Sequence, residues 1–213
     1  MLNTVIIFGV NTLGRIAKDI FESNKILVYG FLDDNKEIHK TEVDDVLVLG
    51  SSDDEDFLKL IGTKCQVFVA SDDNKFRKSI VEMLLNDRKA SPINAIHSFG
   101  QFSDKIEIGC GNLFDMGFTC GSGLKVGSHN IIHANTHLGA EVQIGDYVQI
   151  GAGSIINSGV TIEDEVFIGS GAIIVSGLTV GKGARVGAGS VVIGSVKEGE
   201  TVFGNPAGVV KPK

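Results

Sequence analysis

The sequence predicts two architectures in tandem: a small α/β domain with a parallel sheet over residues 1–99, then a solenoid of very short strands over residues 100–213. The first hundred residues alternate strand-like apolar runs with helical spacings, whereas the remainder repeats every six residues. Most of the 28 glycines fall after residue 100, tryptophan is absent and proline is scarce.

In the amino-terminal part, TVIIFG at residues 4–9 reads as a buried strand, and Leu13, Ile16, Ala17 and Ile20 give residues 11–21 one apolar helical face. Further strands are expected at residues 27–32, 46–49 and 66–70, with helices near 54–61 and 74–86. Strands alternating with helices imply a sheet of Rossmann type, whose ligands bind outside the carboxyl ends of strands near the first strand–helix turn. That turn is Gly9-Val10-Asn11-Thr12-Leu13-Gly14. It lacks the GxGxxG spacing that cradles a pyrophosphate, so Gly9, Asn11 and Thr12 are candidate substrate contacts with a purely structural turn as the alternative. FLDD ends the second strand, where Asp33 and Asp34 are placed to accept from a ribose or base, or stand as a solvated strand end.

Beyond residue 100, every sixth residue from Phe102 to Val192 is apolar, through sixteen consecutive rows. The column four places on is small or aliphatic in most rows, as at Leu124, Val142, Val160 and Ala184. The column after the apolar one is glycine in nine rows, and another, three places after the apolar one, includes Gly153, Gly159, Gly171 and Gly189. A helix, with a period of about 3.6, cannot generate this pattern. Regular corners suit glycine, which enters positive φ without strain. Such hexapeptide repeats resemble the left-handed parallel β-helix, in which three hexads make a coil, so the rows make about five coils with no inserted loop. Residues eighteen apart then stack, and Ser122, Ala140, Ser158 and Ser176 share one column.

GFLDD at residues 30–34, the hexads, and VFGNPAGVVK at residues 202–211 together resemble the sugar O- and N-acyltransferases of the sialic-acid O-acetyltransferase and bacillosamine-type N-acetyltransferase group, across essentially the whole chain. The resemblance implies a homotrimer that moves acetyl from acetyl-CoA to an amino or hydroxyl group of a sugar, often one linked to UDP. It implies that the amino-terminal domain holds the nucleotide sugar and that CoA lies in clefts between neighbouring β-helices. Gly204, Asn205 and Pro206 match the family's terminal segment near CoA's nucleotide end; Gln149, Ser158, Gly159, Ser176 and Gly177 are the further candidate contacts to CoA. Aligned without gaps between Ile131 and Asp146, the family's catalytic histidine falls on Ala140 and its acidic follower on Glu141. A second familiar histidine falls on Gln149, and the glycine-rich loop reduced to Gly9–Gly14 lacks its histidine.

A base must therefore come from elsewhere. Acyl transfer from a thioester needs a group to take the nucleophile's proton, and histidine suits neutral pH. His137, at the corner leading into the hexad of Ala140, is the first candidate, with Glu141 to orient its ring. His133, just after the inward Ile132, is the second. Backbone N–H groups near Ser158-Gly159 are candidates for the oxyanion. His129 occupies the glycine-rich corner column and reads as structural, as does His97 at the join between domains; His39 lies in a charged loop without a specific role.

The net charge of −7 argues against a nucleic-acid partner, which needs basic patches. MLNTVIIFG has neither a basic n-region nor a membrane-length apolar run, so neither a signal peptide nor a membrane span is expected. Three cysteines without zinc spacing read as free thiols of a cytoplasmic protein. No metal is expected: zinc enzymes of the γ-carbonic-anhydrase type share the hexapeptide architecture, but His133 and His137 on one extended face would be about 13 Å apart at about 3.3 Å per residue. The other alternative is an inert trimeric scaffold, for which the loss of both family histidines speaks and the retained GNPA segment speaks against.

Overall fold

A computed structural model describes residues 3–210 and divides into two compact units, Met1–Ser98 and Phe99–Lys213. In the first, β1 (Thr4–Phe8), α1 (Thr12–Ser23), β2 (Leu27–Leu32), β3 (Glu42–Val43), β4 (Val46–Gly50), α2 (Glu55–Leu58), β5 (Gln66–Val69) and α3 (Asn74–Asp87) follow one another. The sheet order is β3-β4-β2-β1-β5, parallel except where β3 runs against β4. Val5, Ile6, Ile7 and Phe8 are fully buried, as an unbroken apolar run in a central parallel strand should be. The order of strand addition reverses at β1, and in open sheets of this kind the crevice beside such a reversal, at the carboxyl ends of the strands, is where ligands bind.

Two features of this unit depart from the sequence expectation. The helix expected over residues 54–61 is one turn, Glu55–Leu58, capped by Asp54. The β3–β4 hairpin was not anticipated, because its turn is Asp44-Asp45 in place of the usual Asn-Gly or Asp-Gly. Both aspartates take positive φ, 49° and 64°, which Asp tolerates better than most residues. Two hydrogen bonds from Arg15, at 2.6 and 2.9 Å, hold Asp44 to α1. They raise the pKa of Arg15 and lower that of Asp44.

The second unit is the predicted β-helix. Its first face stacks Ile106–Ile108, Leu124–Val126, Gln143–Ile144, Thr161–Ile162 and Thr179–Val180. Its second stacks Leu113–Phe114, Ile131–Ile132, Gln149–Ile150, Phe167–Ile168, Arg185–Val186 and Thr201–Gly204. Its third stacks Thr119–Cys120, His137–Leu138, Ile155–Ile156, Ile173–Ile174 and Val191–Val192. Neighbours run parallel in an eighteen-residue register, for instance His137 against Thr119 and Ile155. The inward column is buried, with Leu138, Ile156 and Ile174 at 0% exposure. Phe102, Phe114 and Phe118 gather at the amino-terminal end of this interior with ring centroids 4.6–5.4 Å apart.

The two glycine columns have different causes. At Gly139, a Cβ would stand 2.5 Å from the Ser158 nitrogen of the next coil, so packing forbids one. The other column takes positive φ at each corner from Gly111 to Gly189, and His129, Asn135, Glu141, Tyr147 and Glu165 adopt it without being glycine, at a cost of about 1–2 kcal/mol each. His129, read as structural, is buried there and stacks on Tyr147 with centroids 5.0 Å apart. The hexads run regularly to Val192. Beyond it Val196 pairs with Val180 and Val202 with Val186, a spacing of sixteen that shortens the final coil by two residues. Among the described residues no helix is long and apolar enough to cross a membrane.

Cys120 faces this interior, and burial pushes its thiol up to about 12. An unfolded cysteine ionises near 8.5, so the unfolded chain loses this proton first as pH rises. The folded state keeps its full advantage below about pH 8.5 and loses it as pH climbs toward 12. Urea unfolding at pH 7.5 and pH 10 should show stability falling by about 2 kcal/mol more in the wild type than in Cys120→Ala; parallel losses would contradict this.

Candidate active site

Strand alternation places His137 outward. Leu138 fills the core, so its predecessor is exposed on the third face. The His137 N–H donates to the Ser154 carbonyl at 2.9 Å. One coil earlier, Thr119 sits directly opposite, and its Oγ1 lies 2.8 Å from His137 Nδ1. Nε2 has no partner among the described residues. The ring's hydrogen-bond partner among the described residues is thus Thr119, while Glu141, expected beside the ring, makes no such bond. Glu141 occupies the left-handed corner position, φ 59°, where the chain turns onto the first face, and its carboxylate bonds nothing among the described residues.

The corner after His137 carries the predicted column. Glu141 N–H donates to Ser122 O at 2.8 Å, Gly159 N–H to Ala140 O at 2.9 Å, and Gly177 N–H to Ser158 O at 3.0 Å. These bonds consume the Gly159 and Gly177 amides, so of the Ser158-Gly159 pair named for an oxyanion the Gly159 amide is already engaged. The N–H groups of Ser158 and Ser176 make no hydrogen bond among the described residues, and both serines are exposed. An open groove of about 650 Å³ runs along the first face, lined by Lys125, Gln143, Thr161, Asp164 and Lys182.

The remaining solenoid candidates stand apart within one chain. His133 begins the corner between the second and third faces, where its carbonyl accepts from Thr136 Oγ1 at 2.7 Å. Gln149 lies on the second face, paired with Ile131 and Phe167. Gly204, Asn205 and Pro206 form the tip of a terminal hairpin in which Gly204 opposes Ala207. His129, His133 and His137 converge on no common point, and no group of three or more His, Cys, Asp or Glu among the described residues is placed to hold a metal ion.

In the amino-terminal unit the predicted residues surround the β1–α1 turn. Gly9, at φ 100°, has no room for a Cβ, which would meet the Ala70 carbonyl at 2.5 Å. Asn11 caps α1 by accepting from Gly14 N–H at 3.1 Å, while its Nδ2 donates to Ala70 O at 3.0 Å. Thr12, the next residue, is exposed. Asp33 accepts from the N–H groups of Val10 and Asn35, both at 2.9 Å, and Asp34 from Ser52 N–H at 2.9 Å. The pair expected to meet a ribose thus clamps three loops at the crevice. His39, expected to have no specific role, reaches the Asp33 carbonyl with Nε2 at 2.7 Å.

Residues 4–84 match the PglD N-terminal domain, and residues 123–158 and 159–194 match the bacterial transferase hexapeptide of six repeats. The chain thus carries a PglD-type amino-terminal domain followed by bacterial transferase hexapeptides. The resemblance read from GFLDD, the hexads and the GNPA segment is borne out. No curated protein matches the chain in sequence. Among solved structures it is similar to a histidine-to-alanine mutant of GDP-perosamine N-acetyl transferase from Caulobacter crescentus in complex with CoA and GDP-perosamine, with 25% identity, 98% of this chain and 97% of that one covered, and a TM-score of 0.89. WeeI from Acinetobacter baumannii AYE is 28% identical over 97% of this chain and 99% of its own, with a TM-score of 0.84. The acetyltransferase domain of PglB from Neisseria gonorrhoeae FA1090, in complex with acetyl coenzyme A, shares the fold at 21% identity, 99% and 100% coverage and a TM-score of 0.88.

Sequence reasoning missed Thr119, although the signal was present. It lies eighteen residues before His137, in the same outward column. As for the clamp, Asp33→Ala should expose the Val10 amide and lower stability by about 1.5–3 kcal/mol, the loss of hydrogen bonds to a charged acceptor. Hydrogen exchange at Val10 and a urea titration read both effects; an unchanged exchange rate would dismiss the clamp.

Proposed function

We propose that the protein transfers an acetyl group from acetyl-CoA to an amino or hydroxyl group of a sugar carried on a nucleotide. The observation that carries this reading is the full-length likeness to an N-acetyl transferase whose structure holds both CoA and a nucleotide sugar. The amino-terminal unit supplies the acceptor site at the crevice beside Gly9, Asn11 and Thr12, built on the clamp of Asp33 and Asp34. CoA follows the open groove on the first face, and the terminal hairpin of Gly204, Asn205 and Pro206 takes its nucleotide end.

The chemistry needs three groups near the thioester. The acceptor nitrogen or oxygen attacks the thioester carbon as His137 Nε2 takes its proton. The Ser158 N–H, left open by the coil ladder, donates to the oxygen on which charge develops. The carbon–sulfur bond then breaks, and the CoA thiolate recovers the proton from the imidazolium. His133, across the preceding corner, is the second candidate for the base, and Glu141 is a candidate contact to the acceptor.

The active assembly we propose is a cytoplasmic homotrimer. Support comes from the third face, where Ile155 lies below His137 and is 39% exposed, and from Ile193 at 61% just past that face. Outward apolar side chains beside the base are what a neighbouring copy would cover. A neighbouring copy also offers the means to bring Gln149, which lies on another face, toward the corner of Ser158.

Two measurements test this reading. Calorimetric titration with acetyl-CoA should show binding by wild type and His137→Ala alike, while acetyl transfer to a panel of nucleotide-linked amino sugars falls about 10²–10⁴-fold in the variant. Absence of binding by wild type would reject the transferase reading. Sedimentation equilibrium should give three times the chain mass of 22.5 kDa; a monomer would reject the assembly.

A further inference from the structure

A general base must present a lone pair to its substrate. In a neutral imidazole one ring nitrogen carries the proton and the other the lone pair, and the hydrogen bond made by one decides the state of the other. His137 Nδ1 lies 2.8 Å from Thr119 Oγ1. Resting on the reading of His137 as base, we propose that Thr119 is its positioning residue: the threonine oxygen accepts from Nδ1–H, so that Nε2 holds the lone pair that takes the acceptor's proton. The reverse arrangement, with the hydroxyl donating into Nδ1, would keep the proton on Nε2 and leave nothing to accept.

Three features fit Thr119 to this task. Its backbone is fixed on the adjacent rung, where its N–H donates to Thr136 O at 3.0 Å and its register opposite His137 is set by the ladder. As a β-branched residue on a strand, it has few χ1 states to choose from. Its oxygen also keeps accepting after Nε2 is protonated, so the imidazolium forms without any regrouping of the pair. A hydroxyl fixes the direction of the ring and adds no charge. A carboxylate on the same rung would do both, by stabilising the imidazolium.

The test uses the full chain with ring ¹⁵N–¹H spectroscopy and acetyl-transfer rates across pH, on wild type, Thr119→Val, Thr119→Ser, Thr119→Asp and His137→Ala. In wild type the neutral ring should carry its proton on Nδ1. Thr119→Val should move the proton toward Nε2 and lower kcat about tenfold with little change in KM, and Thr119→Ser should restore both. Thr119→Asp should move the acid limb of kcat/KM upward by about one pH unit, because a ring beside a carboxylate stays protonated to higher pH. A wild-type ring protonated on Nε2, or a Thr119→Val enzyme with unchanged tautomer and rate beside an inactive His137→Ala, overturns this proposal alone. Full activity in His137→Ala overturns the underlying reading and this proposal with it.

Discussion

The ladder between coils is the constraint on which the carboxyl-terminal unit depends. Each rung donates backbone N–H groups to the carbonyls of the next, as Gly139 does to Ile156 at 2.7 Å and Gly145 to Ile162 at 2.8 Å. A slip of one residue would turn Leu138, Ile144 and Ile150 outward and bring their polar neighbours into the core, so the apolar column and the ladder enforce the same register. That register decides which outward side chains become neighbours. Thr119 meets His137 because both lie on one column of one face, although eighteen residues separate them in sequence.

The same ladder explains where the unit has chemical freedom. At the corner of Ala140 it consumes the Gly159 and Gly177 amides and leaves those of Ser158 and Ser176 open, whereas at the following corner side chains one coil on take the equivalent amides, as Asp146 does for Ser128 and Asp164 for Asp146. The open amides of Ser158 and Ser176 therefore follow from the ladder together with a column, Ser122, Ala140, Ser158 and Ser176, that holds no carboxylate to take them. Side chains in this column project away from the core, so alanine at residue 140 and serine at residues 122, 158 and 176 leave the interior as it was. The interior polar groups follow the opposite rule: Asn130 N–H donates to Asn112 Oδ1 at 2.8 Å and Val148 N–H to Asn130 Oδ1 at 2.6 Å, which ties three coils together where water is excluded.

Legibility in the sequence divides along the same line. The β-helix was legible almost entirely, because its determinants repeat locally and each coil touches only its neighbours. What escaped was the shortened last coil, whose two missing residues fall where the apolar column ends. In the amino-terminal unit the long strands and helices were legible from their periods. The β3–β4 hairpin was not, since Asp44-Asp45 depends for its geometry on Arg15, a residue distant in sequence. Asp33 shows the limit most clearly. Its position at the end of β2 pointed to a ligand, while its bond to Val10 exists only once its own loop has met the β1–α1 turn.

The candidate site was partly legible for a related reason. A motif compared position by position finds alanine at residue 140 and reports a missing base. On a solenoid, however, position along the chain is a poor measure of place, because an outward residue on a face and the corner beside it lie on one edge. His137 sits on the face that leads into the corner of Ala140, and the open amide of Ser158 belongs to that corner one coil on. Moving a base along such an edge leaves the buried column and the ladder untouched, so it incurs little loss of stability and demands only a new partner for the ring. The neighbour available on the adjacent rung is Thr119. A hydroxyl suffices there because strand and ladder have already fixed both side chains, and direction is all that remains to be supplied.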